Sequence, residues 1–447
     1  MELEERRDGP ELLDLETRLV DRHCGIVRSL GAIRKPIGEP EWPLIVRAEL
    51  SNFRYHRDKA DAFQIASGKG MNAEAAKVSA LGEAIERYCG GIWSSEAVQV
   101  ATRNELEEDS IDPRDLILYP DSAYAHLPYE PYHDGIRLGW VMGRDLASGT
   151  PVALPAQPVL MAYNLQAGEA PLCQVTSNGL AAAPTLAEAA LRAAYEVIER
   201  DAFIASWLLG LKGMRVDPAS IGLSETNTLM AAHQRRGIAI ELYRLPSTLS
   251  VHCMMAIGVA AEESRLPAFV IGLGANHDAI VAARSALLEV AQVRPGLRYR
   301  MADPEVLARR ASLWEDMARV ESLEDHDLYY SGLETGALLD VLRGGEPLPL
   351  QEIAPPLAPL GVIQRLDALS KELAEEGHRL CLADLTPPDM QPLGLHAARA
   401  IITGYQPIYF GEPERRIALP RLAQLASRFP GGRYSPESLN PYPHPLA

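Results

Sequence analysis

The sequence predicts a mixed α/β fold on three observations. The chain has 447 residues, 47% of them hydrophobic; short β-like runs alternate with alanine-rich helical runs; and one strand–glycine loop–helix unit recurs three times. Such a chain buries a substantial core; length alone suggests two or three domains, and one large α/β domain is allowed. The formal net charge is -17, from 60 acidic residues against 43 Lys and Arg, which argues against a grip on phosphate backbones and so against nucleic acid. The five cysteines show no C-x-x-C spacing and read as free thiols in a reducing compartment. The N-terminus is too polar for a signal peptide, and the apolar run Ile204 to Leu211 is too short to span a bilayer. A cytoplasmic protein that enters no membrane is expected.

In chain order, residues 1–44 read as an N-terminal extension, 45–428 as the main fold and 429–447 as a proline-rich tail. In the first copy of the unit, Ala62 to Ala66 leads through Ser67-Gly68-Lys69-Gly70 to a helix from Asn72 to about Tyr88 carrying Glu83, Glu86 and Arg87. In the second, Leu172 to Val175 leads through Thr176-Ser177-Asn178-Gly179 to a helix capped by Thr185, with Glu188 at the capping-box position and Glu196, Glu199 and Arg200 beyond. The third runs from Ala268 to Ile271 through Gly272-Leu273-Gly274 to a helix of about Asp278 to Val293 carrying Glu289 and Gln292. Ile238 to Tyr243 and Met254 to Val259 read as strands, 303–323 and 361–377 as surface helices, and Leu380 to Leu385 as a strand. In Asn440 to Ala447 every second residue from Pro441 to Pro445 is proline, which favours an extended polyproline-like rod.

Residues three apart share a helix face, so each pair presents two oxygen donors side by side. A solvated acidic face is the bland alternative for any one pair. The small, apolar residues around the first two pairs instead imply burial, and buried acids need partners. Their late position in the expected helices, where the macrodipole disfavours negative charge, calls for a cation as well. Arg87 and Arg200 supply part of it, and magnesium suits the remainder, because it takes hard oxygen ligands together with nucleotide phosphates. The glycine loops would offer backbone N–H groups to an anion, with Lys69 adding a point charge. Ser67-Gly68-Lys69-Gly70 is not a Walker A motif, and Gly272-Leu273-Gly274 does not complete a dinucleotide fingerprint, since His277 stands at the last glycine position.

At these residues the chain resembles the YcaO superfamily. The motifs are Ser-Gly-Lys-Gly with Ser79-Ala80-Leu81-Gly82-Glu83-Ala84-Ile85-Glu86-Arg87; Thr176 to Ala182; Glu196 to Ala202; and Ala286 to Gln292. The resemblance implies a YcaO-type ATP-binding fold. It assigns Ser67, Lys69, Ser79, Arg87, Asn178, Arg200 and Gln292 to ATP, and Glu83, Glu86, Glu188, Glu196, Glu199 and Glu289 to Mg2+. Where the family often shows Gly-Asn or Gly-Ser before the helix threonine, this chain has Ala183-Pro184, so one ligand is missing there or replaced by Asn178 or water. The tail looks like that of azoline-forming cyclodehydratases, which puts Pro441, Pro443, Pro445, His444 and Ala447 at the active site. His444 or the Ala447 carboxylate is then the candidate base.

The implied reaction is ATP-dependent phosphorylation of a backbone amide oxygen, converting Cys, Ser or Thr of a ribosomal precursor peptide to thiazoline or oxazoline. Thioamide formation, amidine formation and a non-catalytic ATP-binding scaffold are the alternatives. The implied partners are the precursor peptide, a separate E1-like leader-binding protein, a flavin-dependent azoline dehydrogenase, and a second copy in a homodimer.

Overall fold

The computed structural model describes residues 11–51, 65–355, 360–432 and 434–446. Among these, thirteen strands follow in chain order: β1 (Val27–Ala32), β2 (Leu44–Leu50), β3 (Ile65–Gly70), β4 (Gln99–Ala101), β5 (Leu138–Asp145), β6 (Pro151–Pro155), β7 (Leu180–Ala183), β8 (Met214–Val216), β9 (Ile238–Arg244), β10 (His252–Ala260), β11 (Phe269–Asn276), β12 (Leu380–Asp384) and β13 (His396–Ile402). They form a three-stranded sheet β1-β2-β3, a four-stranded sheet β11-β10-β9-β8, and a six-stranded sheet β4-β5-β12-β13-β7 with β6 paired to β5. The mixed α/β expectation holds.

The chain divides into two compact units. The first comprises the described residues of Met1–Ile33, Ile45–Val197 and Pro359–Tyr405, and the second Arg34–Leu44, Ile198–Ala358 and Gln406–Ala447. The expected extension is therefore shared between them. Its first part is folded, with a helix at Leu12–Leu19 and β1 paired antiparallel to β2.

Three long helices carry the glutamates: Ala73–Gly91, Leu186–Leu209 and Ala279–Arg300. Each has a side-chain N-cap, in which Asn72 accepts from Ala75 N at 2.8 Å, Thr185 from Glu188 N at 3.2 Å, and Asp278 from Ile280 N at 2.8 Å. Counted from Ala73, Leu186 and Ala279, each pair occupies the eleventh and fourteenth helical residues. The helices run well past their pairs, the third through Pro295 to Arg300. The expectation that the glutamates oppose the C-terminal end of the dipole is thus corrected, since that effect is confined to the last turn.

The glycine loops are corrected too. Ser67-Gly68-Lys69-Gly70 lies inside β3 and Gly272-Leu273-Gly274 inside β11. The glycines let a helix lie directly on its own strand. A Cβ on Gly68 would stand 2.0 Å from Ala80 N and 2.3 Å from Ala76 O, and one on Gly274 would stand 2.2 Å from Ala282 O and 2.9 Å from Ala286 N. Leu172 to Val175, expected as a strand, is irregular. Its amides go to side chains, Leu172 N to Gln157 Oε1 at 2.9 Å and Gln174 N to Tyr119 OH at 3.1 Å, so they are not available for a ladder. The strand of this copy is β7, which follows Gly179 rather than preceding it. The strand expectations near β9, β10 and β12 and the helices within 303–323 and 361–377 are met, the latter at Pro304–Glu315 and Val362–Glu375.

Candidate functional site

The first glutamate of each pair is tied to the backbone of the segment that precedes its helix. Ser67 N donates to Glu83 Oε2 at 3.0 Å, Gly179 N to Glu196 Oε2 at 3.1 Å, and Leu273 N to Glu289 Oε2 at 3.1 Å. One oxygen of each carboxylate therefore satisfies a backbone amide, in β3, in the turn before β7 and in β11. These bonds brace each helix to that backbone where the small residues bring the two together. In unit 1 the other oxygen of Glu83 takes a 2.5 Å ion pair from Arg87, one helical turn on.

Glu86 differs. It makes no hydrogen bond or ion pair among the described residues. Removal from water, then the charges of Glu196 and Glu83, push its carboxyl well above the usual range, against the pull of Arg87 and Arg399. Glu86 is half-buried, with two neighbouring carboxylates close enough to act on it. Asn178 Oδ1, in the turn before β7, is also buried with no hydrogen-bond partner among the described residues. Unit 1 thus holds Glu83, Glu86, Glu196 and Asn178 as oxygen donors, the Glu86 carboxyl being the one that faces two other carboxylates, a donor type that suits a hard divalent cation. Among the described residues no three His, Cys, Asp or Glu side chains already stand in a metal-holding group. Lys69 and Ser79 are half-buried on β3 and on the first glutamate helix, and Glu188 is half-buried in the first turn of the second.

Arg399 was not anticipated. It projects from the otherwise mostly apolar β13, is 2% exposed, and donates to Pro158 O at 2.9 and 2.7 Å and to Thr176 O at 2.6 Å. It anchors the turn that contains Asn178 and adds positive charge near Glu86. A lone arginine in the strand-like run His396 to Ile402 was the signal available in the sequence.

Unit 2 holds Glu199, Arg200, Glu289 and Gln292. Glu199 and Arg200 are adjacent and largely buried, with Arg200 Nη2 3.7 Å from Glu199 Oε1. The second glutamate helix continues from the Glu196 segment of unit 1 into this unit.

Residues 440–446 also belong to unit 2, and the expected rod is packed rather than loose. Pro443, His444, Pro445 and Leu446 are buried. The His444 ring lies parallel on His326 at 3.9 Å, its Nε2 donates to Tyr409 O at 2.7 Å, and its Nδ1 accepts from Leu446 N at 3.4 Å. Burial first, then His326, Arg200 and Arg415, holds its pKa well below the ordinary imidazole value. With both nitrogens hydrogen-bonded and no exposure, His444 is a neutral ring packed within this segment. Ala447, the other candidate base, lies outside the described residues, as do Ala62 to Gln64.

Comparison with known proteins gives a family and a fold. A family model described as YcaO cyclodehydratase, ATP- and Mg2+-binding, matches residues 67–406. An uncharacterised protein of Mycobacterium tuberculosis strain H37Rv is 28% identical over 236 residues, covering 52% of this chain and 50% of its own length. The chain thus spans about half the length of that relative. An uncharacterised protein of Methanothermobacter thermautotrophicus is 27% identical over 363 residues, 79% of this chain and 84% of the other. Two solved structures share the fold. A heterocyclase in complex with substrate and cofactor has a TM-score of 0.80 at 20% identity, covering 100% of this chain and 59% of that one. YcaO from Methanopyrus kandleri bound with AMPPCP and Mg2+ has a TM-score of 0.60 at 21% identity, covering 86% of this chain and 89% of that one.

Proposed function

The chain belongs to the YcaO family, which binds ATP and Mg2+, and from that premise we propose that it activates backbone amides of a ribosomally made peptide with ATP, closing Cys, Ser or Thr side chains into thiazolines or oxazolines. The observation that carries this reading is Glu86, a carboxylate without a hydrogen bond or ion pair among the described residues, set beside Glu196 and Glu83. A carboxylate partly withdrawn from water beside two others costs free energy unless a cation offsets it. Glu83, Glu86, Glu196 and Asn178 of unit 1 would hold Mg2+, which when bound neutralises charge on the nucleotide phosphates. By the family resemblance, Glu188 in unit 1 and Glu199 and Glu289 in unit 2 are further proposed Mg2+ ligands, and Ser67, Lys69, Ser79 and Arg87 in unit 1 and Arg200 and Gln292 in unit 2 are proposed nucleotide contacts, each taken within its own unit.

In the proposed reaction the substrate thiol or hydroxyl attacks the preceding carbonyl carbon, and the amide oxygen takes the γ-phosphoryl group of ATP. The C–O bond then breaks with release of phosphate, and the ring closes as a C=N bond forms. The peptide loses one water and ATP becomes ADP and phosphate. The chain supplies no covalent nucleophile; its residues bind and orient. The segment bearing Pro441, Pro443 and Pro445 would border the reacting amide.

We propose a leader-binding protein that delivers the precursor peptide, an azoline dehydrogenase and a homodimeric state as the further partners, and the cytoplasm as the compartment. A solved assembly of the same fold, the Escherichia coli microcin synthetase McbBCD complex, carries bound pro-MccB17. Among the described residues no helix is long and apolar enough to cross a membrane.

The test incubates the chain, a candidate leader-binding partner and a Cys- and Ser-rich precursor with ATP and Mg2+, then measures peptide mass. Loss of one water per modified residue, matched by ADP, is expected. Exchange of oxygen for sulfur on adding sulfide would replace the reading with thioamidation, and an unchanged peptide with no ADP formed would overturn it.

A further inference from the structure

The alternate prolines of residues 440–446 create a recognition problem that unit 2 solves in an unusual way. Pro441, Pro443 and Pro445 have no N–H, so this segment cannot be held as a sheet strand. Its carbonyls remain. Five in succession accept side-chain hydrogen bonds. Arg415 donates to Asn440 O and, at 3.2 Å, to Pro441 O. Trp207 Nε1 donates to Tyr442 O at 3.0 Å, Tyr330 OH to Pro443 O at 2.6 Å, and His326 Nδ1 to His444 O at 2.8 Å.

These donors are also held by contacts outside the segment. Trp207 and Tyr330 meet edge to face at 5.9 Å, and both are essentially unexposed. Gly411 N donates to His326 Nε2 at 3.0 Å, which leaves the proton on Nδ1, the nitrogen that faces His444 O. Arg415 pairs with Glu412 at 3.3 Å. A row of aromatic and cationic donors reading the carbonyls of an extended proline-containing chain is the chemistry by which polyproline segments are recognised. The side chains of the segment then set its register, through the stack of His444 on His326 and its bond to Tyr409 O.

We infer that Arg415, Trp207, Tyr330 and His326 form a built-in receptor for a proline-alternating segment, and that they are positioning residues for the reaction because they fix residues 440–446. This rests on the proposed function only for its second half. The receptor itself stands on the hydrogen bonds.

Tyr330→Phe tests it in the full chain, since it removes one hydroxyl and keeps the ring. Hydrogen exchange followed by mass spectrometry should show the amides of Tyr442 and Leu446 exchanging about tenfold faster, because Pro443 O loses its donor, with other peptides unchanged. In the azoline assay kcat should fall while KM for ATP and for peptide holds. Trp207→Phe should repeat both effects at Tyr442 O. Unaltered exchange in both variants would overturn the receptor. Faster exchange with unaltered kcat would overturn the positioning role. If the wild-type chain forms no azoline at all, the functional reading fails while the exchange result still decides the receptor.

Discussion

Gly68→Ala and Gly82→Ala, two substitutions of the same chemistry in one strand–helix unit, should act with opposite sign. At Gly68 the new methyl would sit 2.0 Å from Ala80 N and 2.3 Å from Ala76 O, against ordinary contact from 3.4 Å. Both obstacles are backbone, so the helix Ala73–Gly91 has to withdraw from β3 by about 1 Å or more, at an overpacking cost of about 1–3 kcal/mol. Withdrawal also stretches the 3.0 Å Ser67 N to Glu83 Oε2 bond beyond useful length, which adds about 1 kcal/mol. At Gly82 an added methyl meets nothing within 4 Å, and alanine in a helix interior gains roughly 0.5–1 kcal/mol over glycine. Scanning calorimetry without nucleotide should therefore show Gly68→Ala melting roughly 5–10 °C below the parent and Gly82→Ala roughly 2 °C above it. Gly274→Ala, whose methyl would meet Ala282 O at 2.2 Å, should repeat the loss in the other unit. Equal melting temperatures for Gly68→Ala and Gly82→Ala would refute the view that these glycines serve helix–strand contact.

The other predictions concern charge. Glu86→Gln should raise the melting temperature without nucleotide by relieving repulsion from Glu196 and Glu83, and should weaken Mg2+-dependent ATP binding in calorimetry by more than about tenfold, or about 1.4 kcal/mol. Unchanged ATP affinity would remove Glu86 from the metal set. Glu83→Gln should keep its amide bond to Ser67 N and remain folded, while Glu83→Ala should lose about 1–3 kcal/mol on denaturant unfolding. Unit 2 should lose stability in mild acid. Burial holds His233, His252 and His326 down to about 4, and His444 well below its ordinary value. These rings stay neutral in the fold, while their unfolded forms take protons below about pH 6.5. Stability is therefore full above pH 6.5 and drains away toward pH 4, at up to about 1.4 kcal/mol per pH unit for each ring. Asp327, pushed up to about 6 by burial, works the other way below that pH and offsets part of the loss. A unit 2 melting transition that stays level from pH 6.5 to 4 would contradict the neutral rings.

The i, i+3 glutamates were legible because helical periodicity is local, and Asn72, Thr185 and Asp278 sit where caps belong. The glycines were seen but misread as anion loops. A glycine in a turn and a glycine under a packed helix leave the same letter in the chain, and only the tertiary approach separates them. The second strand was misplaced because Leu172 and Cys173 are buried like strand residues yet give their neighbourhood's amides to Gln157 and Tyr119. Arg399 is a lone charge whose carbonyl partners are more than two hundred residues away in sequence. Trp207, Tyr330, His326 and Arg415 are scattered among helices and loops that no sequence periodicity links to residues 440–446. The alternating prolines could be noticed from the sequence, but not what grips them.

The three backbone-to-glutamate bonds also restrict how these units can move. A helix that slides along its strand by one turn, about 5.4 Å, would tear a carboxylate from the amides of Ser67, Gly179 or Leu273. The glycine contacts leave no room for it to ride up and over instead. Shear between packed elements, a common way for proteins to open and close, is thereby blocked at the three helices that bear the acids. Each of the three helices therefore holds its second acid or amide in register with the backbone amide that its first acid accepts from.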